Sequence, residues 1–192
     1  MATHADLDFF RYDDVLSKED RVLQQRVRTW VAERFMPQAT ECWNRHDFPM
    51  ELFEEMGELG CFGATIDGYG CPGLSNLAYG LVMRELERGD SGLRTMASVQ
   101  GALAMNSILF FGSEAQKQQW LPPMAAGKTL GCFGLTEPGF GSNPGGMTTK
   151  AVRDGDGWRL TGTKTWIGNA DVSEIAIVWA KCVDEDNMIR GF

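Results

Sequence analysis

Apolar residues recur at helical spacing through the first two thirds of the chain. Val22, Leu23, Val27, Trp30 and Val31 fall on one stripe, and Ser17 stands before them as a cap. Glu19 and Asp20 occupy the first turn, where carboxylates meet the positive end of the helix dipole. Pro37 marks a stop or a kink. Leu52, Phe53, Met56 and Leu59 form a second stripe, which predicts a helix from about Met50 to Leu59 closed by Gly60. The glycine- and proline-bearing run 67–73 reads as loop. Helices follow over about 76–88 and 93–111. The latter carries Leu93, Met96, Val99, Leu103, Met105, Ile108 and Leu109, is apolar nearly all round, and reads as a buried central helix. Ser113 with Gln116 has the form of a capping box, and Pro122–Pro123 ends or kinks the helix it opens.

From Thr129 the pattern turns to β. Short apolar runs predict strands over 130–136, 148–153, 158–161, 163–167 and 174–181. Asp154-Gly155-Asp156-Gly157 joins the second and third as a hairpin. A polar turn at 184–187 leads to a further strand start at 188–192. The expected architecture is α+β: an N-terminal all-helical bundle domain, 1–128, followed by a truncated antiparallel β-barrel-like domain, 129–192. A sheet that stops in mid-strand leaves an unpaired edge, so the chain reads as a fragment or as one piece of a split protein.

Composition narrows the function. In 192 residues, 43% are hydrophobic and 23% charged, the profile of a soluble globular protein. Lys plus Arg number 18 against 26 Asp plus Glu, a net charge of -8. That balance opposes nucleic-acid binding, which depends on neutralising phosphates, and opposes adhesion to an anionic membrane. No apolar run approaches the ~20 residues that span a bilayer. The acidic N-terminus lacks the features of a leader, so the chain reads as cytosolic or already processed. Five cysteines, an odd number with no C-x-x-C pair, suggest free thiols rather than a disulfide framework or zinc site. Two histidines are too few for a His-based metal centre and speak against a Ser-His-Asp hydrolase.

Two segments carry the chemistry. Residues 131–142 run from an apolar strand into a glycine-rich turn ending in Ser142. Glycines there let backbone N–H groups approach a phosphate or a ring carbonyl. The spacing of Gly139, Gly141 and Gly145, with no helix pattern after it, is neither a dinucleotide fingerprint nor a P-loop. A plain tight turn between strands is the alternative. In residues 162–169, Trp166 in a short strand beside Gly168-Asn169 can wall a flat ring, or can be an ordinary core tryptophan.

Together these segments resemble the acyl-CoA dehydrogenase family. The resemblance rests on Leu135-Thr136-Glu137-Pro138 through Gly141-Ser142, followed by Trp166-Ile167, and covers nearly the whole chain. Within the family it is most similar to the glutaryl-CoA branch, through Gly68-Tyr69-Gly70-Cys71, Arg84 to Arg88, Asp90 to Thr95, Ser98-Val99-Gln100 and Gly131 to Pro138. The resemblance implies FAD as cofactor, bound by Phe133, Leu135, Thr136, Gly141, Ser142, Trp166, Ile167 and Gly168. It implies an acyl-CoA substrate met by Ser142, with Arg94 and Thr95 at the distal carboxylate of a glutaryl chain. Without the resemblance, Arg94 reads as a salt bridge to Glu87 or Asp90, or as plainly exposed.

The implied reaction is Cα–Cβ oxidation of glutaryl-CoA with decarboxylation to crotonyl-CoA. Electrons would pass to an electron-transferring flavoprotein. A homotetramer in the full-length form is implied, located in a bacterial cytoplasm or, after removal of a transit peptide, in the mitochondrial matrix. Two departures stand out: Gly168 replaces the family's usual Thr near the flavin N5, and Asn143 its usual Asp. The first leaves open a short-chain acyl-CoA oxidase on the same scaffold. The family's catalytic glutamate belongs to a C-terminal helical domain beyond this chain. The isolated chain is therefore expected to bind FAD poorly and to lack dehydrogenase activity, and a non-catalytic fragment or scaffold subunit is the remaining alternative.

Overall fold

A computed structural model describes residues 11–192. The first ten residues, most of the stretch read above for a leader, lie outside them. Helix α1, Lys18–Trp30, opens on a reciprocal capping box: Ser17 Oγ accepts the Asp20 N–H at 3.0 Å and the Asp20 carboxylate accepts the Ser17 N–H at 3.2 Å. The chain does not stop at Pro37. It passes through a π-helical turn, Val31–Phe35, directly into α2, Met36–Arg45. The Met36 N–H donates to the Val31 carbonyl, one residue wider than an α turn. Pro37 thus stands at the start of a new α register, where its missing donor is tolerated.

Helix α3, Leu52–Glu58, ends as its glycine suggests. Gly60, at φ +78°, donates to the Gly57 carbonyl at 2.9 Å, and Cys61 donates to Met56 at 3.0 Å, a Schellman closure. The run read as loop contains a two-rung hairpin, β1 Asp67–Gly68 with β2 Cys71–Pro72. Helix α4, Asn76–Gly89, is capped by Ser75. Helix α5, Ser91–Ser98, continues through π-helical Val99–Met105 into α6, Asn106–Phe111. This rod is not buried all round. Leu93, Ala97, Ala104 and Met105 are fully enclosed, but Leu103, Phe110 and Phe111 are exposed, because the last turn packs mainly on α7 rather than inside the bundle. Helix α7, Glu114–Ala125, starts at the expected Ser113–Gln116 box and runs through Pro122 and Pro123 instead of ending there.

The helical core reaches under the sheet through Leu130, with Ile175 and Ile177 packed against it. The sheet comprises β3 Gly131–Gly134, β4 Lys150–Asp154, β5 Gly157–Thr161, β6 Ile175–Cys182 and β7 Met188–Gly191. Strand β6 is its centre. The amides of Ile175, Lys181 and Val183 reach Leu130, Thr149 and Ala151, whereas the Val178 amide reaches Phe192. Alternation of N–H direction along a strand therefore puts β3 and β4 on one edge of β6 and β7 on the other. The β6 pairings with β3 and β4 are parallel, and β4–β5 and β6–β7 are antiparallel. The helical-then-sheet architecture stands. The sheet itself is mixed and open among the described residues rather than an antiparallel barrel, because β3 and β6 pair in parallel through a long crossover. The 154–157 hairpin forms with a two-residue loop. The strand expected over 163–167 does not: Trp166 adopts φ +57°, which breaks an extended run.

Candidate functional site

Helix, strand and turn meet at a polar junction. Gln100, fully buried in the π-helical segment, donates to the carbonyls of Thr129 (2.8 Å) and Met124 (3.1 Å) and accepts the Gly131 N–H at 2.7 Å. Its three bonds pin the start of β3 to the helical layer. Asn169, left-handed at φ +66°, donates to the carbonyls of Gly131 (3.3 Å) and Met96 (3.4 Å) and brings the 164–169 turn to the same place. Beyond β3, the Lys164 ammonium donates to the Leu135 carbonyl at 3.0 Å and the Thr165 N–H to the Thr136 carbonyl at 2.9 Å. Glu137 and Phe140 then close a tight turn on each other.

Glu137 is 2% exposed. Its carboxylate accepts from the Thr148 N–H (2.6 Å) and hydroxyl (2.7 Å), the Thr149 N–H (2.9 Å) and hydroxyl (2.5 Å), and Lys164 Nζ (3.0 Å). Burial pushes the carboxyl's pKa up, but the hydroxyl and backbone donors of Thr149 and Thr148 outweigh it and hold it well below the usual carboxylate range. It is a permanent anion at neutral pH.

The residues expected to hold a flavin divide into groups. Leu135, Thr136, Ile167 and Gly168 are half-buried and lie on the two segments that Lys164 and Thr165 tie together. Trp166 projects from the same turn at 92% exposure. Among the described residues, the backbone N–H groups of Thr136, Trp166, Ile167 and Gly168 make no hydrogen bond. Gly141 and Ser142 are exposed on the loop beyond Phe140, with open space where a Cβ at Gly141 would stand. Phe133 is set apart. Its ring meets Trp179 edge-on with centroids 6.0 Å apart.

Arg94 lies on α5 with its Nε 2.7 Å from Glu87 Oε2, the ion pair that remained open from the sequence. Thr95 is half-buried and its carbonyl accepts the Ser98 hydroxyl at 3.0 Å. No hydrogen bond or ion pair among the described residues joins either to the 135–142 or 164–169 segments. A Cβ at Gly168 would lie 3.3 Å from Val99 Cγ2, a tight contact that ties the turn to the helical rod. Gly168→Thr is therefore expected to lower stability by about 1–3 kcal/mol through overpacking, and Val99→Ala in the same chain to recover part of it. A denaturant titration of the three variants checks this.

Gln100, Glu137, Lys164 and Asn169 build the junction, and none was singled out from the sequence as a site residue. They appeared there only inside longer runs: Glu137 in Thr-Glu-Pro, Gln100 in Ser98-Val99-Gln100, and Lys164 and Asn169 in 162–169.

The fold and site define a two-part scaffold: a helical layer pinned to a mixed sheet, with free backbone donors beside an exposed indole at the join. The chain belongs to the acyl-CoA dehydrogenase family. Residues 17–128 match the model of the acyl-CoA dehydrogenase N-terminal domain, and 132–192 that of the middle domain. It is 38% identical over 166 residues to the mitochondrial short-chain specific acyl-CoA dehydrogenase of Bos taurus, covering 86% of this chain and 40% of the relative. A crystal structure of a glutaryl-CoA dehydrogenase from Mycobacterium smegmatis in complex with FADH2 superposes with a TM-score of 0.93 at 48% identity, over 99% of this chain and 48% of that one. A chain from the electron transferring flavoprotein structure of Acidaminococcus fermentans superposes with a TM-score of 0.86 at 31% identity, over 92% of this chain and 47% of that one. The chain thus spans two fifths to one half of the length of these relatives.

Proposed function

We propose that this chain forms the FAD-binding part of an acyl-CoA dehydrogenase acting on glutaryl-CoA, with the helical part at 1–128 and the sheet part from 129. The observation that carries the reading is the pairing of unpartnered N–H groups at Thr136 and Trp166–Gly168 with a 92% exposed indole. A left-handed backbone is costly for a tryptophan, and such strain gathers at ligand-binding sites. An isoalloxazine ring suits this one: it offers carbonyl and nitrogen acceptors to the free donors and a flat apolar face to the indole. These residues fit that group. When bound, FAD supplies the acceptor for the hydride that leaves Cβ of the thioester.

The remaining roles fall to the chain's own residues. Trp166 and Ile167 exclude water from one side of the ring. The free donors hold its polar edge. Gly141 and Ser142 approach the pyrophosphate and thioester, and Phe133 braces the strand from behind. Arg94 and Thr95 receive the distal carboxylate. The high likeness to a glutaryl-CoA dehydrogenase structure supports this substrate over a short acyl chain without a distal carboxylate. An electron-transferring flavoprotein as electron acceptor, a homotetramer, and a bacterial cytoplasmic or mitochondrial matrix location complete the proposal. Among the described residues no helix is long and apolar enough to cross a membrane.

FAD titration of the purified chain tests the flavin reading, and turnover of glutaryl-CoA and butyryl-CoA with a dye acceptor by the active, flavin-loaded enzyme tests the substrate. Weak but saturable quenching of flavin fluorescence towards one FAD per chain, no turnover by the isolated chain, and preference of the active enzyme for glutaryl-CoA are expected; no flavin uptake refutes the reading. Gly168, which presents no hydroxyl near the ring, favours a second reading as an acyl-CoA oxidase. Stoichiometric peroxide from the same assay in air would establish that instead.

Trp166→Gly separates function from folding. The left-handed backbone costs a non-glycine residue about 1–2 kcal/mol, while glycine adds ~0.5–1 kcal/mol of unfolded-state entropy. Stability is expected to stay within about 1 kcal/mol of wild type, or to rise, while FAD affinity falls about tenfold. Loss of stability with unchanged flavin affinity would make Trp166 a folding residue.

A further inference from the structure

Glu137 stands outside the set of residues that would touch the flavin, yet it is the most completely hydrogen-bonded side chain near them. Its five donors come from two stretches distant in sequence: Thr148 and Thr149 at the entrance to β4, and Lys164 before the tryptophan turn. Lys164, 12% exposed at its side chain, divides its ammonium between this carboxylate and the Leu135 carbonyl. Neighbouring Thr165 bonds the Thr136 carbonyl. Taken together, the two bonds occupy the Leu135 and Thr136 carbonyls and leave the N–H groups of Thr136 and of Trp166–Gly168 unpaired among the described residues.

We infer that Glu137, acting through Lys164, is a positioning residue for the flavin: it clamps the 135–137 exit and the 164–168 turn side by side, so that their free N–H groups face one ligand. The inference rests on the flavin reading above and assigns Glu137 no part in proton abstraction. A buried ion pair is a costly way to gain stability, since apolar side chains of the same volume often do as well or better. What the pair provides instead is direction. Its bonds fix both segments at the rung next to Trp166, and an apolar contact would let them slide.

The test uses the full 192-residue chain. Glu137→Gln keeps the shape and removes the charge. Lys164→Met removes one donor of five and stays readable if the glutamine variant folds poorly. Three quantities are followed: amide exchange of Thr165 without ligand, the FAD dissociation constant, and the fine structure of the bound flavin's visible absorption. Both variants are expected to exchange the Thr165 amide about tenfold faster, and to weaken FAD about tenfold with a blurred flavin band, as suits the loss of charge-assisted bonds. Exchange at Ala180 and Cys182 should be unchanged, and Lys164→Arg should restore most of the affinity. Faster Thr165 exchange with unaltered flavin affinity and spectrum would overturn the inference and leave Glu137 a purely structural residue. A wild-type chain that takes up no FAD would overturn the flavin reading and this inference with it, and is told apart because wild type itself then fails.

Discussion

Replacing Arg94 by methionine is expected to cut kcat/KM for glutaryl-CoA by about two to three orders of magnitude in the active, flavin-loaded enzyme. Butyryl-CoA, which has no distal carboxylate, should lose no more than a few-fold. Arg94 sits in the first turn of α5, where a cation meets the positive end of the helix dipole and needs compensation. Glu87 supplies part of it through a single bond from Nε at 2.7 Å. No bond is made by the two terminal guanidinium nitrogens among the described residues, and these can take a carboxylate bidentately. Methionine keeps the volume and removes that grip; lysine cannot copy its geometry. The pair with Glu87 is 37% and 48% exposed at its side chains, so its own contribution to folding is small, about 0–1 kcal/mol. An equal fall on both thioesters would mean that Arg94 supports the fold or the flavin site, and the glutaryl assignment would lose its residue-level support.

Glu85→Ala is expected to give the largest loss of stability, about 3 kcal/mol. The Glu85 side chain is fully buried on α4 and accepts from Arg28 Nη2 (2.8 Å) and Nε (3.0 Å), Gln24 Nε2 (3.0 Å) and Arg88 Nε (3.1 Å). Its removal strands those donors between α1 and α4. The cost stays at the low end because Arg28 and Arg88 keep 27% and 38% of their side chains in water and can turn outward. Burial pushes the Glu85 pKa up, but the bonds from Arg28, Gln24 and Arg88 prevail and hold it below its ordinary 4.5. A carboxylate with a depressed native pKa contributes its full stability above the unfolded value and loses it as the pH falls through the native one. Wild type should therefore weaken on acidification below about pH 4.5 more steeply than Glu85→Ala. Urea midpoints at pH 7 and through the acid range check both statements; parallel pH profiles would show that folding does not lower the Glu85 pKa.

Local signals were legible in the residues. Ser17 and Ser113 mark helix starts because a cap is satisfied within four residues. Gly60 marks an end for the same reason, and Asp154–Gly157 makes its hairpin with adjacent partners. The glycine-rich exit at 131–142 and the Trp166 turn were also visible as candidate chemistry, since glycines and an isolated tryptophan are uncommon in that pattern. What failed was each reading that depended on a distant partner. Of the stop or kink read at Pro37, the stop does not occur, because the π-helical turn before it changes the register. The 163–167 segment has the residues of a strand, but Lys164 is drawn to Glu137 and Trp166 turns left-handed. A mixed open sheet arises because β3 pairs in parallel with β6, some forty residues later, and no local pattern encodes which edge a strand chooses.

The sequence by itself determined several helix starts and the Gly60 stop, that a sheet follows the helices, and, through the resemblance carried by Leu135 to Ser142 and Trp166-Ile167, the family. The tertiary structure alone decided how those residues are held. Gln100 and Asn169 join helix to strand, Arg94 settles on Glu87, and Glu137 gathers donors from Thr148, Thr149 and Lys164. The reason is physical: a cap or a tight turn is satisfied by neighbours along the chain, whereas a buried polar group takes its partners from whatever segments the packed core brings to it.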